Sequence, residues 1–271
     1  MSIQKLLCDE VHFNYPQYFA NFPPNTPLRI GDFGYLDRKI FQHESNIEVA
    51  FGISPGKPRA GNLANVEFKS KSGVAVKTSG NIQLDTNTGV DQFGEAVIEF
   101  KRANGVFFMA TGCKVKIIED KATLAQKLID LFERDRWKSE YVVVTSIIEV
   151  QTLNLFISDT ANASIKLKAH SDSPHLDVFS AGAKCTVINE TGIANKWVTA
   201  ENTTPLIGLS KISRKFFFGE PVFKVSYLVG GENNGTENLD ELKNEVKLSG
   251  RSFAETFDLL PIDDRDNLSP L

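Results

Sequence analysis

Long apolar runs are missing from this chain. The longest, such as Val106-Phe107-Phe108-Met109-Ala110 and Tyr141-Val142-Val143-Val144, reach about 5 residues, against the roughly 20 that a membrane-crossing helix needs, so no helical span is expected. The opening residues, Met1-Ser2-Ile3-Gln4-Lys5-Leu6-Leu7-Cys8, lack the apolar core of a secretory signal, which predicts a cytoplasmic protein. Cysteine is scarce: 3 in 271 residues, Cys8, Cys113 and Cys185, at unrelated spacings that fit reduced thiols and neither a disulfide frame nor a zinc cluster. Neither sign of charge dominates, and a net charge of −4 argues against a dedicated nucleic-acid binder. What is present, 41% hydrophobic and 10% aromatic residues, suits a soluble globular protein with one large core or two modest ones.

The charge is unevenly placed. Residues 1–230 carry 26 Lys+Arg against 24 Asp+Glu, whereas residues 231–271 carry 4 against 10. The acidic part opens with Gly230-Gly231-Glu232-Asn233-Asn234-Gly235-Thr236-Glu237-Asn238, a composition that reads as a linker. After a short helical stretch, Leu239–Val246, comes an apolar patch of Phe253, Phe257, Leu259, Leu260 and Ile262. Such a patch has no reason to follow a polar linker unless it docks. At about 1.5–3 kcal/mol per buried side chain, docking would make a latch of the tail. A boundary near residue 230 is expected, with residues 231–248 as linker and cleavage region and 249–271 as the docking peptide.

Between these ends, alternation of period two dominates. Ile47, Val49, Phe51 and Ile53 alternate with smaller or polar residues, which predicts a strand over Ile47–Ser54. Ala64–Thr78 alternates as one long strand, with Val66, Phe68, Val74 and Val76 on one face and Glu67, Lys69, Lys71 and Lys77 on the other. Asn104-Gly105 predicts a tight hairpin between Ala96–Phe100 and Phe107–Ile117. Further strands are expected at Tyr141–Val150, Leu153–Ser158, Ser164–Ala169, Leu176–Ile188, Phe216–Phe218 and Val222–Val229. Asp120–Trp137 reads as an amphipathic core helix capped by Asp120, and the aromatic, proline-bearing segment through Pro27 as packed but irregular. The fold class is α+β: a twisted, mainly antiparallel central sheet with peripheral helices.

Catalytic motifs fare poorly. Gly52-Ile53-Ser54-Pro55-Gly56 matches a nucleophile elbow, but Lys57-Pro58 follows where a helix must start, and a plain loop is the better reading of Ser54. His170, Asp172, His175 and Asp177 surround Pro174; two imidazoles and two carboxylates suit a divalent metal, yet without further ligands a solvated turn is favoured, so no metal is assigned. Alternating strands of about 9–11 residues meet the requirement for crossing a bilayer in a barrel, and equally suit a soluble sheet.

Leu28-Arg29-Ile30-Gly31-Asp32-Phe33-Gly34-Tyr35-Leu36-Asp37, then Phe41 and Asn46-Ile47, the segment Phe107-Phe108-Met109-Ala110-Thr111-Gly112, the helix ending at Trp137, and Tyr141-Val142-Val143-Val144-Thr145 together resemble a bacterial gasdermin over roughly residues 1–230. The resemblance implies a non-enzymatic, pore-forming domain without cofactor. A C-terminal peptide holds it as a soluble cytoplasmic monomer, and a caspase-like or other protease removes that peptide. The released part then oligomerises into large β-barrel pores in the cell inner membrane and kills the cell in antiphage defence.

It also implies a palmitoylated N-terminal cysteine, matched here by Cys8, which thiol chemistry alone reads as buried and inert. Within this frame the expected cut follows Leu248, at the Leu248-Ser249 bond. The expected inserted hairpins are Ile47–Ser54 with Ala64–Thr78, and Ser164–Ala169 with Leu176–Ile188, carrying Val66, Phe68, Val74, Val76, Ile165, Leu167, Leu176 and Val178 toward lipid. In the soluble state these hairpins are expected to be shorter and partly curled. The competing class is a soluble binding module whose tail is an ordinary docked appendage.

Overall fold

A computed structural model describes residues 2–62, 65–70, 73–85, 89–170, 184–214, 239–249 and 252–262. The chain begins with helix α1, Ile3–Asn14, capped by Ser2, whose side chain accepts from Lys5 N–H at 3.2 Å. The expectation of an irregular segment is therefore corrected for residues 3–14, where Leu6, Leu7 and Val11 recur at helical spacing and bury one stripe, and it holds for residues 15–27 apart from Phe19–Ala20. Strands β1 (Phe19–Ala20), β2 (Asp32–Asp37) and β3 (Ile40–Asn46) follow.

The expected strand over Ile47–Ser54 is instead helix α2, Ile47–Phe51. Asn46 accepts from Glu48 N–H at 3.0 Å, and Gly52, at φ +69°, ends the turn in a left-handed conformation that favours glycine. Three of the four alternating apolar residues fall within this short helix, with Ile47 buried and Val49 exposed, and Ile53 lies beyond it.

The long strand expected over Ala64–Thr78 is also divided. After β4 (Pro58–Asn62) come β5 (Val66–Lys69) and β6 (Val74–Asp85), in different sheets, with Gly73 at φ +99° ahead of β6. Val66 and Phe68 lie opposite Ala110 and Phe108, whereas Val74 and Val76 lie opposite Phe100 and Ile98.

Strand β7 (Gly89–Phe100) pairs with β6 along all of its length. Next are β8 (Val106–Thr111) and β9 (Lys114–Ile118). The hairpin expected at Asn104-Gly105 does not form: Asn104 has the positive φ, but the turn passes the chain from one sheet to the other, anchored where Asn104 N–H donates to the Ser158 carbonyl at 3.0 Å. Helix α3, Lys121–Glu133, is capped by Asp120 as expected.

Strand β10 (Val142–Ser158) unites two expected strands through several bulges. After it come β11 (Ala163–His170), β12 (Lys184–Thr191) and β13 (Ile193–Arg214), the last a long strand the pattern conceals because its first half is mostly polar. Helices α4 (Leu239–Ser249) and α5 (Phe253–Thr256) and strand β14 (Phe257–Pro261) close the described chain. The strands expected at Phe216–Phe218 and Val222–Val229, the start of the linker, and Leu176, Val178, Asp172, His175 and Asp177 lie outside the described residues.

Among the described residues two sheets form. The larger is organised on β10, which pairs with β13 on one side and with β2, β9 and β8 in turn on the other. The smaller has the order β12-β11-β7-β6, and all its pairs are antiparallel. The central strand β8 is buried on both faces: Val106, Phe108 and Ala110 meet α1, while Phe107 and Met109, with Phe156, meet the smaller sheet. A third cluster joins α3 to β10, β13 and the tail. The α+β, mainly antiparallel reading stands.

Candidate functional site

The tail occupies the open edge of β13. Beyond β1, which pairs with Leu206 and Ile207, that edge continues at Ser210–Arg214, and β14 lies along it antiparallel with Lys211 opposite Leu260 and Ile212 opposite Leu259. Ile262 N–H extends the ladder to the Leu209 carbonyl at 2.9 Å. An unpaired strand edge is a template for another chain, and here the molecule covers its own. Phe253, Phe257, Leu259 and Ile262 are all buried in the α3 cluster; the side chain of Leu260 is outside the described ones. Phe132 of α3 meets Phe257 edge to face at 5.3 Å between centroids and Phe253 at 6.5 Å.

Docking starts earlier than the patch. Val246 of α4 is buried in the same cluster, and Leu239 and Leu242 pack against it. Lys243 sets its ammonium 4.4 Å from the Phe132 ring centroid and pairs with Asp135; Lys247 reaches the same carboxylate at 3.0 Å. Hydrogen bonds from the two lysines, and their charge, hold the Asp135 carboxyl below its usual range. Ser139 donates to Asp240 at 3.0 Å. Among the described residues, docking thus includes α4 from Leu239 on, inside the stretch read as linker. Leu248 is 90% exposed near the end of α4, followed by Ser249.

The smaller sheet is amphipathic. Val74 and Val76 share a face with Ala96, Ile98 and Phe100, and with Ala163, Ile165 and Leu167 of β11. On the opposite face Lys77 and Lys166 both stand opposite Val97, and each reaches diagonally to a glutamate, Lys77 to Glu99 at 2.7 Å and Lys166 to Glu95 at 2.9 Å. The strands β6 and β7 are 12 residues each, already longer than the expected curled form. The expected pairing of Ile47–Ser54 with Ala64–Thr78 does not form, since Ile47–Phe51 is helical and β6 pairs with β7. The second expected hairpin has its counterpart in β11 with β12, joined to the first through β7–β11.

Cys8 lies on the buried face of α1, 2% exposed, in a cluster with Leu7, Val11, Phe68 and Phe108. Burial first, then the neighbouring Asp9, pushes its thiol up to about 12, so it is protonated at neutral pH. Ser54 sits in an irregular stretch after α2, its hydroxyl accepting from Gly56 N–H at 3.2 Å, with a strand and no helix after it. Among the described residues no helix is long and apolar enough to cross a membrane, which says nothing about strands. Sequence reasoning missed Phe132, Asp135 and Lys243, because nothing local marks a contact between residues so far apart in the chain.

No family model matches the chain, and no curated protein matches it in sequence. Among solved structures it is similar to the gasdermin A3 membrane pore determined by cryo-electron microscopy, at 8% identity and a TM-score of 0.31, covering 80% of this chain and 92% of that one. It is also similar to a bacterial gasdermin from Bradyrhizobium tropiciagri, at 10% identity and a TM-score of 0.31, covering 78% of this chain and 87% of that one. Gasdermin is the family that the sequence resembles.

Proposed function

We propose that this chain is a gasdermin-type pore former kept inactive by its own C-terminal segment and released by proteolysis. The observation that carries the reading is the tail itself: β14 completes the β13 edge while Phe253 and Phe257 plug the face of α3 at Phe132. At roughly 1.5–3 kcal/mol for each buried side chain before ordering costs, this is a latch of useful strength only while the tether keeps its local concentration high.

The smaller sheet is the part that crosses the bilayer. In the folded state its apolar face rests on Phe107, Met109 and Phe156. Lipid replaces that support without loss of burial, while the Lys77–Glu99 and Lys166–Glu95 face meets water in the lumen. The 12 residues of β6 and of β7 suffice, since a tilted span needs about 9–11, while β11 and β12, 8 residues each, lengthen on insertion. The outer strands β6 and β12 run antiparallel to one another, so copies join edge to edge in the same sense, and closure of the ring satisfies the backbone groups that an isolated sheet would leave bare.

A cut after Leu248 removes 5 acidic and 2 basic residues and moves the net charge from −4 to −1, which lessens repulsion from anionic lipid. The partners are then a protease, caspase-like or other, membrane lipid and further copies of the chain. The protein stays in the cytoplasm before the cut and moves to the cell inner membrane after it, where the pore ends the life of a phage-infected cell. Palmitoylation of Cys8 fits this role once α1 lifts from its seat.

The experiment is dye release from vesicles of anionic lipid by residues 1–248 and by the intact chain, each with and without a palmitoylated Cys8. Release by the truncated form alone is expected. Equal inactivity of every form leaves the soluble binding module as the reading.

A further inference from the structure

Cleavage after Leu248 poses a geometric difficulty, because Leu248 and Ser249 are the last residues of a helix and a protease takes its substrate extended. The side chain of Leu248 is free in solvent and holds nothing. What keeps the last turn wound is the burial of Val246 in the core and, on the exposed side, ion pairs that converge on one residue just past the end of α3. Lys243 and Lys247, one helical turn apart, put both ammonium groups on the carboxylate of Asp135. Asp135 follows α3 with φ +59°, a left-handed conformation that a short polar side chain tolerates. That bend presents the carboxylate to α4 while Phe132 supports Lys243 from beneath at 4.4 Å.

Resting on the function proposed above, we infer that Asp135 is a positioning residue for the activating cut: it clamps α4 through Lys243 and Lys247, and the opening of this clamp sets the rate at which the Leu248-Ser249 bond becomes available. Phe132 ties the clamp to the rest of the latch, since the ring that carries Lys243 is the ring against which Phe257 and Phe253 rest. The helix and the plug are therefore released as neighbours rather than as independent pieces.

The test is limited digestion of the intact chain by chymotrypsin, which accepts leucine, with the 1–248 fragment followed by intact mass. Asp135→Ala is expected to speed the appearance of this fragment by about tenfold, and Lys247→Gln, which removes one exposed contact and leaves the buried Lys243 paired, by about threefold, because cleavage follows the open population. Cleavage within the core is expected to stay as slow as in the unmodified chain. Unchanged rates at Leu248 in both variants overturn the clamp, and so does acceleration at every site alike, since that reports general loosening. Vesicle leakage measured on the same digests keeps the two claims apart: faster cutting without leakage supports the clamp and sinks the pore.

Discussion

Phe257 of the tail and Phe132 of α3 meet edge to face with centroids 5.3 Å apart, and both rings are fully buried. One belongs to the segment proposed to be discarded on activation, the other to the body that remains. Their contact makes the stability of the resting state and the silence of the pore two readings of the same packing.

Truncation of the plug follows directly. Phe257→Ala leaves a cavity beside Phe132, and such deletions cost about 3–5 kcal/mol. The intact variant is expected to melt at lower temperature and to leak dye from anionic vesicles without any protease. A lower melting temperature with no leakage at any protein concentration supports the tail as an ordinary appendage.

The two faces of the smaller sheet respond differently to charge. Val76 is half-buried at the outer strand, where the lysine of Val76→Lys can lay its stem on the apolar face and carry its ammonium to water, whereas in the bilayer it puts a cation on the lipid face at a cost of about 2–4 kcal/mol near the midplane. Leakage by residues 1–248 carrying this change is expected to fall at least about tenfold, since each subunit of the ring bears the cost. Lys77→Ala on the opposite face removes an exposed ion pair worth about 0–1 kcal/mol and is expected to leave both the circular dichroism melt and the leakage near their original values.

Cys8 carries a pH signature. Its thiol is pushed up to about 12 from 9.0, so the folded state prefers the protonated form. That contribution is present in full below pH 9 and is lost as the pH rises toward 12, where the unfolded chain has released the proton that the folded chain keeps. Denaturant melts of the intact chain between pH 8 and 12 are expected to show declining stability, with a shallower decline in Cys8→Ala. Tyr15, Tyr18 and Cys113, raised by burial, and Lys138, raised by its hydrogen bond with Tyr141, contribute to the slope that remains. Equal slopes for the two proteins contradict this assignment. The same burial predicts slow alkylation by iodoacetamide in the folded protein at pH 7 and fast alkylation in guanidinium.

How much of this was legible beforehand depends on the range of the interaction. The α3 helix, its Asp120 cap and the docking of Phe253, Phe257, Leu259 and Ile262 follow from local composition, because an amphipathic stripe and an apolar patch after a polar stretch each demand burial somewhere. The short helix at Ile47–Phe51 was hidden because alternate apolar residues over so few positions fit a strand as well, and the deciding contact is the Asn46 cap. The division of Ala64–Thr78 between two sheets was hidden for another reason: alternation records which face is buried, not which sheet supplies the neighbour. Val66 and Val76 obey the same pattern against different partners. The polar half of β13 gave no signal because its order comes from the pairing with β10. The meeting of Lys243, Phe132 and Asp135 is set wholly by the tertiary fold.

The central claim is that the smaller sheet crosses the bilayer once the tail is cut, and site-directed spin labelling tests it most directly. Labels placed singly at residues 74–78 and 95–100 of the 1–248 form, bound to anionic vesicles, are read for collision with oxygen and with a water-soluble nickel reagent. High oxygen access at residues 74, 76, 96 and 98, alternating with high nickel access at 75, 77, 95 and 99, is the predicted result. Uniform access to the nickel reagent at all of these positions, unchanged from the protein free in solution, contradicts it.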